Sequence, residues 1–246
     1  MLAHSDLLKL KRWNTPTIYN GWEQITSHDT TKGHFNLTKT TDYMPEMGPM
    51  AGYAVTVKCC PSQKKYAKNA AEQSRKYREY IASIDGPKIV VVQDLDDPHV
   101  GSYWGEVNAN VHKALGCIGT ITEGAIRDID EMKNAGFKAL AKTMCVGHAF
   151  STPIEWGCEV EVFGCKIQPG QLIHADKHGF LAIPEEDIAG LYESVCFMDA
   201  NECENLINVA RSTYGKSKKE ILDELEVGFA MFRAKAAQKY SKKGEW

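Results

Sequence analysis

GSYWGEVNANVHKALGCIGTITEGAIRDIDE, residues 101–131, is the stretch whose reading decides the fold. A glycine-bounded loop feeds a helix predicted over 103–115, a buried strand follows over 117–122, Glu123-Gly124 makes a turn, and Arg127-Asp128 opens a second helix. Glu106 falls in the first turn of one helix and Arg127-Asp128 at the mouth of the next. A helix-strand unit folded back on itself brings all three to one edge of a sheet, and that edge is the candidate site.

The residue types suit a particular chemistry. A helix N-terminus offers unpaired backbone N–H groups and partial positive charge, so residues 101–105 are a seat for a substrate carboxylate. Arg127 adds a planar, permanently charged fork for a carboxylate or a developing enolate oxygen. Asp128 and Glu106 are hard oxygen donors, and one or two carboxylates with waters and substrate oxygens is the usual way Mg²⁺ is held. A structural alternative stands beside this. Asp128 followed three residues later by Glu131 is also a helix-start pattern related to the capping box, and Glu106 in a first turn complements the helix dipole.

Working outward, residues 5–12 and the segment from Thr15-Pro16 to Ile25 read as helices, and residues 26–50 as loop with a short edge strand at 34–37. Residues 51–59 and 88–95 are runs of β-branched and small apolar residues, suited to buried strands, with an amphipathic helix over 63–83 between them. Asp94, Asp96 and Asp97 precede Pro98 as turn formers, and His99 is a second-rank catalytic candidate beside the loop. Another strand is expected over 137–144, then a loop over 145–157 carrying His148, Thr152 and Trp156 that shapes a pocket or is ordinary surface. Hairpins over 159–167 and 171–183 follow, and helices run from Glu185 to about Thr213 and from Ser217 to about Tyr240, with Ser217 and Glu220 as a capping box. The fold class is α/β, a mixed sheet with helices against it, in a catalytic domain over 1–198 and a C-terminal helical extension over 199–246. Ile221, Leu222, Leu225, Phe229, Met231 and Phe232 give the extension an apolar stripe expected to pack on its own core or on a neighbouring subunit.

Composition excludes several classes. Charged residues at 25%, hydrophobic residues at 43% and a net charge of −3 over 246 residues lack the signature of a nucleic-acid binder. No stretch approaches the ~18 apolar residues of a membrane helix and the start lacks an apolar signal core, so a cytoplasmic protein is expected. The eight cysteines form no C-x-x-C pair and are expected to be reduced, mostly buried thiols. No G-x-G-x-x-G follows a strand, against a dinucleotide-binding oxidoreductase. Lys113 is the lone lysine of the 101–131 stretch and lies two helical turns from Glu106, against Schiff-base chemistry.

Glu106, twenty residues, Arg127-Asp128, two residues and Glu131, preceded by Trp104-Gly105 and with Gly116, Gly119 and Gly124 between, resembles the class II pyruvate-aldolase motif. That motif belongs to the 4-hydroxy-4-methyl-2-oxoglutarate aldolase group of the RraA-like family. The strand Gly52-Tyr53-Ala54-Val55-Thr56 and the run from Pro169-Gly170-Gln171 through Ala175-Asp176, Gly179 and Pro184 resemble further family elements, so that residues 8–187 follow the family pattern. Two departures are visible. Asn20-Gly21 stands where the family has Asp-Ala, and Gln171 stands where it has Asp.

The resemblance implies the swivelling β/β/α fold, a homotrimer or dimer of trimers, and a metal-dependent lyase that cleaves or decarboxylates a 2-oxo acid through pyruvate enolate. Asp128 would bind Mg²⁺ or Mn²⁺ directly and Glu106 through water, Arg127 would stabilise the enolate oxygen, and the segment Ser102, Tyr103, Trp104 and Gly105 would hold the substrate carboxylate through its backbone amides. The family also implies an alternative, a non-catalytic protein-binding regulator.

Overall fold

A computed structural model describes residues 1–241, so residues 242–246 of the expected extension lie outside the described residues. The chain divides into two compact units, Met1–Thr15 with Thr31–Glu185 and Pro16–Thr30 with Glu186 onward. The second unit therefore draws on an early segment as well as a late one.

Helices α1 (His4–Leu10) and α2 (Thr15–Ile25) come first. The strands that follow are β1 (Thr41–Asp42), β2 (Met50–Cys59), β3 (Lys88–Asp94), β4 (Ser102–Trp104), β5 (Cys117–Ile126) and β6 (Lys138–Met144). After them come β7 (Glu155–Trp156), β8 (Val160–Val162), β9 (Cys165–Ile167), β10 (Leu172–Asp176) and β11 (Gly179–Ile183). Helices α3 (Ala70–Ala82), α4 (Glu106–Ala114) and α5 (Ile129–Asn134) are set between strands of the first unit.

Among the described residues one sheet of nine strands has the order β1-β6-β5-β3-β2-β10-β11, with β4 beside β5 and β7 beside β2. Strands β2, β3, β5 and β6 run parallel; β1 and β10 pair antiparallel at the two sides of that block. Successive strand residues point to opposite faces, and β3 shows what each face meets. Val90 and Val92 join Tyr77 and Ile81 of α3, Ala109 of α4 and Met132 of α5, together with Trp104 of β4 and Phe137. Ile89 and Val91 join Val160, Val162, Phe163, Ile173 and Phe180, from the β8–β9 hairpin and the β10–β11 end of the sheet. Burial on both faces is why β3 reads as an unbroken apolar run rather than an alternating one.

Several sequence expectations change. The helix predicted over 103–115 begins only at Glu106, because Ser102 and Trp104 pair in parallel with Ala125 and Ile126 as strand β4. Glu123-Gly124 is not a turn. It lies inside β5, whose register with β6 shifts between Thr122 and Ala125, and Gly124 is there because a Cβ would stand 2.6 Å from Asp94 Oδ2. The helix expected over 63–83 starts as a 3₁₀ turn over Lys64–Asn69, and the edge strand at 34–37 reduces to one bridge, Phe35 to Leu181. Of the eight thiols only Cys59, Cys117 and Cys165 are buried. None of the described helices is long and apolar enough to cross a membrane.

His112 of α4 is buried between Trp104 (ring centroids 4.7 Å) and Tyr77 (5.6 Å), with Nδ1 2.7 Å from the Asn108 carbonyl. Burial pushes its pKa down to about 4. The folded ring stays neutral where an unfolded one takes a proton, so its contribution is complete above pH ~6.5 and is lost as pH falls toward 4, by up to ~3 kcal/mol.

In the second unit α2 is joined by α6 (Ile188–Glu202), a π turn over Cys203–Ile207, α7 (Asn208–Arg211) and α8 (Lys218–Tyr240). Ser217 and Glu220 form the expected capping box. Phe232 is buried with Met198 and Ala236, whereas Leu222, Phe229 and Met231 remain exposed, so the predicted apolar stripe splits. Gly21 explains one departure from the family pattern. A Cβ there would lie 2.5 Å from Val195 Cγ2 and 2.6 Å from Val195 Cα, and Ser194 Oγ donates to the Gly21 carbonyl at 2.7 Å. Helix α6 therefore packs against α2 where Gly21 leaves room for Val195.

Two outcomes follow. Gly21→Ala should destabilise the protein by about 1–3 kcal/mol through overpacking, read as a lower urea midpoint. His112→Phe, which keeps an aromatic ring against Trp104, should shrink the stability lost between pH 7 and pH 4.5 by ~1–3 kcal/mol relative to the unaltered chain.

Candidate active site

Strands β4 and β5 run parallel, and Arg127 N donates to the Trp104 carbonyl at 3.1 Å, so the residues after each strand leave the sheet together. Gly105-Glu106 and Arg127-Asp128 thereby meet. Asp128 Oδ2 accepts the Glu106 amide at 3.1 Å and stands 3.6 Å from Arg127 Nε. Gly105 makes the approach possible, since a Cβ on it would lie 2.6 Å from Asp128 Oδ2 and 3.2 Å from Arg127 Nε.

Asp128 does not form the cap on α5 that its spacing to Glu131 suggests. It holds the N-cap position of α5, but in a left-handed conformation (φ 54°, ψ 49°) and with no side-chain bond to that helix. A capping residue has extended backbone and turns its oxygen onto its own helix. Asp128 instead places its carboxylate on the N-terminus of α4, where unpaired amides and the helix dipole favour negative charge. The carboxylate remains 37% exposed and Arg127 38%, so neither is sealed in the core.

These residues line a cavity of about 310 Å³ together with residues 102–108, residues 148–152 and Ala67. Glu106 is an exposed residue of the lining, in the first turn of α4. The other expected ligand-holding residues divide. Ser102 lines the cavity, but its amide donates to the Gly147 carbonyl at 2.8 Å and its hydroxyl lies 3.2 Å from the Ala125 carbonyl. That amide is therefore unavailable to a ligand. Trp104 is fully buried against Phe137 and His112 and is a core side chain. Tyr103 is buried too, which raises its pKa. Gly105 and the partly exposed Arg127 line the cavity. His99 pairs with Asp94 at 3.2 Å, both side chains nearly buried, and does not line the cavity.

The third wall is the loop after β6. Arg127 Nη1 donates to the Val146 carbonyl at 3.1 Å and Ser151 Oγ to the Ser102 carbonyl at 3.0 Å. Of the two sequence readings of this loop, pocket wall or ordinary surface, the cavity lining at residues 148–152 favours the first. Asn108, whose Nδ2 donates to the Tyr103 carbonyl at 2.6 Å, also lines the cavity; sequence does not single it out, because residues two apart on a helix do not share a face.

No group of three or more His, Cys, Asp or Glu among the described residues could hold a metal by itself. The donor set fits a different kind of site. Asp128 Oδ2 is occupied by the Glu106 amide while Oδ1 makes no hydrogen bond among the described residues. A single partly exposed carboxylate with a second one nearby matches magnesium, which keeps most of its waters.

Comparison with known proteins gives a consistent picture. The family model described as Aldolase/RraA matches residues 15–182. Protein DlpA of Legionella pneumophila is 26% identical over 139 residues, covering 55% of this chain but only 21% of that protein. A Halalkalibacterium halodurans protein named "Putative 4-hydroxy-4-methyl-2-oxoglutarate aldolase" is 28% identical over 158 residues, 64% of this chain and 70% of the relative. The solved structure of Streptomyces coelicolor RraAS2, described as an unusual member of the RNase ES inhibitor RraA protein family, superposes with a TM-score of 0.65 at 19% identity, covering 84% of this chain and 97% of that one. The last is a likeness of fold, and it agrees with the mixed sheet and helices described above. The family model covers more than half of the chain, and the chain belongs to the Aldolase/RraA family.

Proposed function

We propose that the protein is a divalent-metal-dependent carbon–carbon lyase that cleaves or decarboxylates a small 2-oxo acid through pyruvate enolate. The observation that carries this reading is the meeting of Arg127, Asp128 and Glu106 at one cavity, with Asp128 turned away from its own helix and toward Glu106. Asp128 makes no side-chain bond to α5, and its Oδ2 meets the first amide of α4 while Oδ1 is left for a ligand.

Asp128 would hold Mg²⁺ or Mn²⁺ directly and Glu106 through water. When bound, the ion supplies Lewis-acid polarisation of the substrate's keto and carboxylate oxygens. The chain's own groups do the rest. Arg127, fixed by the Val146 carbonyl, offers its remaining N–H donors to the oxygen on which charge develops as the carbon–carbon bond breaks. The same guanidinium and the first turn of α4 orient the substrate carboxylate. Cleavage of a 4-hydroxy-2-oxo acid and loss of CO₂ from an oxaloacetate-like acid both leave pyruvate enolate, so one site serves both reactions.

Arg127→Ala should reduce turnover about 10²–10³-fold without loss of the fold, checked by pyruvate release and circular dichroism. Pyruvate release from oxaloacetate with Mg²⁺ or Mn²⁺, with and without chelator, should exceed that of Asp128→Ala run in parallel, a control that corrects for metal-promoted spontaneous decarboxylation. Equal rates for the two proteins would sink the lyase reading in favour of a protein-binding regulator. Gly105 has φ −169°, extended backbone that any residue adopts, so Gly105→Ala acts by crowding, pushing Asp128 Oδ2 aside and pressing on Arg127; it should cost ~10²-fold in activity with little change in thermal midpoint.

A further inference from the structure

The lyase reading, on which this inference rests, leaves one proton without a destination. Aldol cleavage of a 4-hydroxy-2-oxo acid breaks the C3–C4 bond, sends its electron pair toward C3 and the enolate oxygen, and converts the C4 hydroxyl to a carbonyl. The hydroxyl proton has to pass to a base. Decarboxylation releases CO₂ and has no such proton to remove.

The ionisable side chains lining the cavity are Tyr103, Glu106, Arg127, Asp128 and His148. Arg127 is a permanent cation and takes no proton. Tyr103 is buried with its pKa raised, so its hydroxyl keeps its own proton. Asp128 and Glu106 serve the cation in the lyase reading, and Asp128 Oδ2 already accepts the Glu106 amide. That leaves His148.

Its geometry fits the role. His148 Nδ1 lies 2.9 Å from the carbonyl of Ala149. A carbonyl oxygen only accepts, so Nδ1 carries the proton, and in the neutral ring the basic lone pair is on Nε2. Among the described residues Nε2 has no partner. The backbone around it is pinned: Gly147 accepts the Ser102 amide at 2.8 Å, the His148 carbonyl accepts the Ser151 amide at 3.1 Å, and Phe150 N donates to the Pro61 carbonyl at 3.0 Å. Ala149 stands at φ 44°, a left-handed conformation that an alanine adopts rarely, and its carbonyl is the one that fixes the ring's tautomer. The loop carrying the imidazole is the same loop whose Val146 carbonyl receives Arg127. We propose that His148 Nε2 is the general base that removes the C4 hydroxyl proton in aldol cleavage, with its Nδ1–H oriented by Ala149.

The test compares two substrates on one protein. Pyruvate release from 4-hydroxy-4-methyl-2-oxoglutarate and from oxaloacetate is measured for the unaltered chain, for His148→Ala and for His148→Asn, each corrected with Asp128→Ala. The ratio of aldol cleavage to decarboxylation should fall about 10²–10⁴-fold in both His148 variants, and added imidazole should raise it again in His148→Ala. A merely structural histidine would move both reactions together, and an unchanged ratio overturns the assignment. An unaltered chain that decarboxylates but does not cleave also overturns it while leaving the lyase reading standing. An unaltered chain inert toward both substrates overturns the lyase reading, and the base falls with it.

Discussion

The carboxylate of Asp128 reaches the amide of Glu106 across the gap that Gly105 leaves, and the arrangement of the candidate site depends on that contact. Two strand ends, β4 and β5, deliver the partners; the absent side chain at position 105 lets them touch. Because the acid comes from the next helix rather than from the residue before α4, one hydrogen bond does two things. It satisfies an amide that a helix start leaves unpaired, and it fixes the rotamer of Asp128 relative to Arg127. The left-handed backbone at Asp128 accompanies this turn of the carboxylate away from its own helix. A strained residue at a site of converging charge is a reason to suspect function there.

The sheet explains why this edge is available. Strands β2, β3, β5 and β6 are parallel, so their carboxyl ends lie on one side, and in open parallel sheets ligands gather beyond those ends. Residue 126 at the end of β5 and residue 104 at the end of β4 hand the chain to the cavity from the same direction. The two apolar layers pack against both faces of β3, and one of them reaches the cavity through Tyr103 and Trp104. The buried interior of the first unit and the cavity at its edge are thus built on the same parallel block.

Much of this was legible in the chain before any coordinates. Apolar runs such as Ile89 to Val92 announce a buried strand because both faces demand the same residue types. In the pattern from Glu106 to Glu131 the start of β5 just after Gly116 follows from punctuation by glycine, whereas Gly124 suggests an end to that strand which the strand does not observe. Other features were closed to such a reading for physical reasons. Strand β4 is three residues long, below the length at which a period of two can be told from a loop. Glu123-Gly124 has the composition of a turn, and only the neighbouring Asp94 in space explains the glycine. The carbonyls of Val146 and Gly147 that shape the third wall belong to backbone, which carries no residue-type signal. Asp128 shows the same limit from the other side: its spacing to Glu131 announces a cap, and the side chain does something else.

Gly21 carries a last implication. Its carbonyl receives Ser194, its missing Cβ admits Val195, and Trp22 beside it donates from Nε1 to Asp187 at 2.8 Å. The segment around Gly21 is in this way completed by residues 165 and 173 positions further along the chain. During synthesis Trp22 waits, uncovered by those residues, until they emerge, so the second unit closes late even though part of it is made early. Shortening the chain after the last strand would not yield a tidy smaller protein; it would leave an early helix without the surface it was shaped to meet.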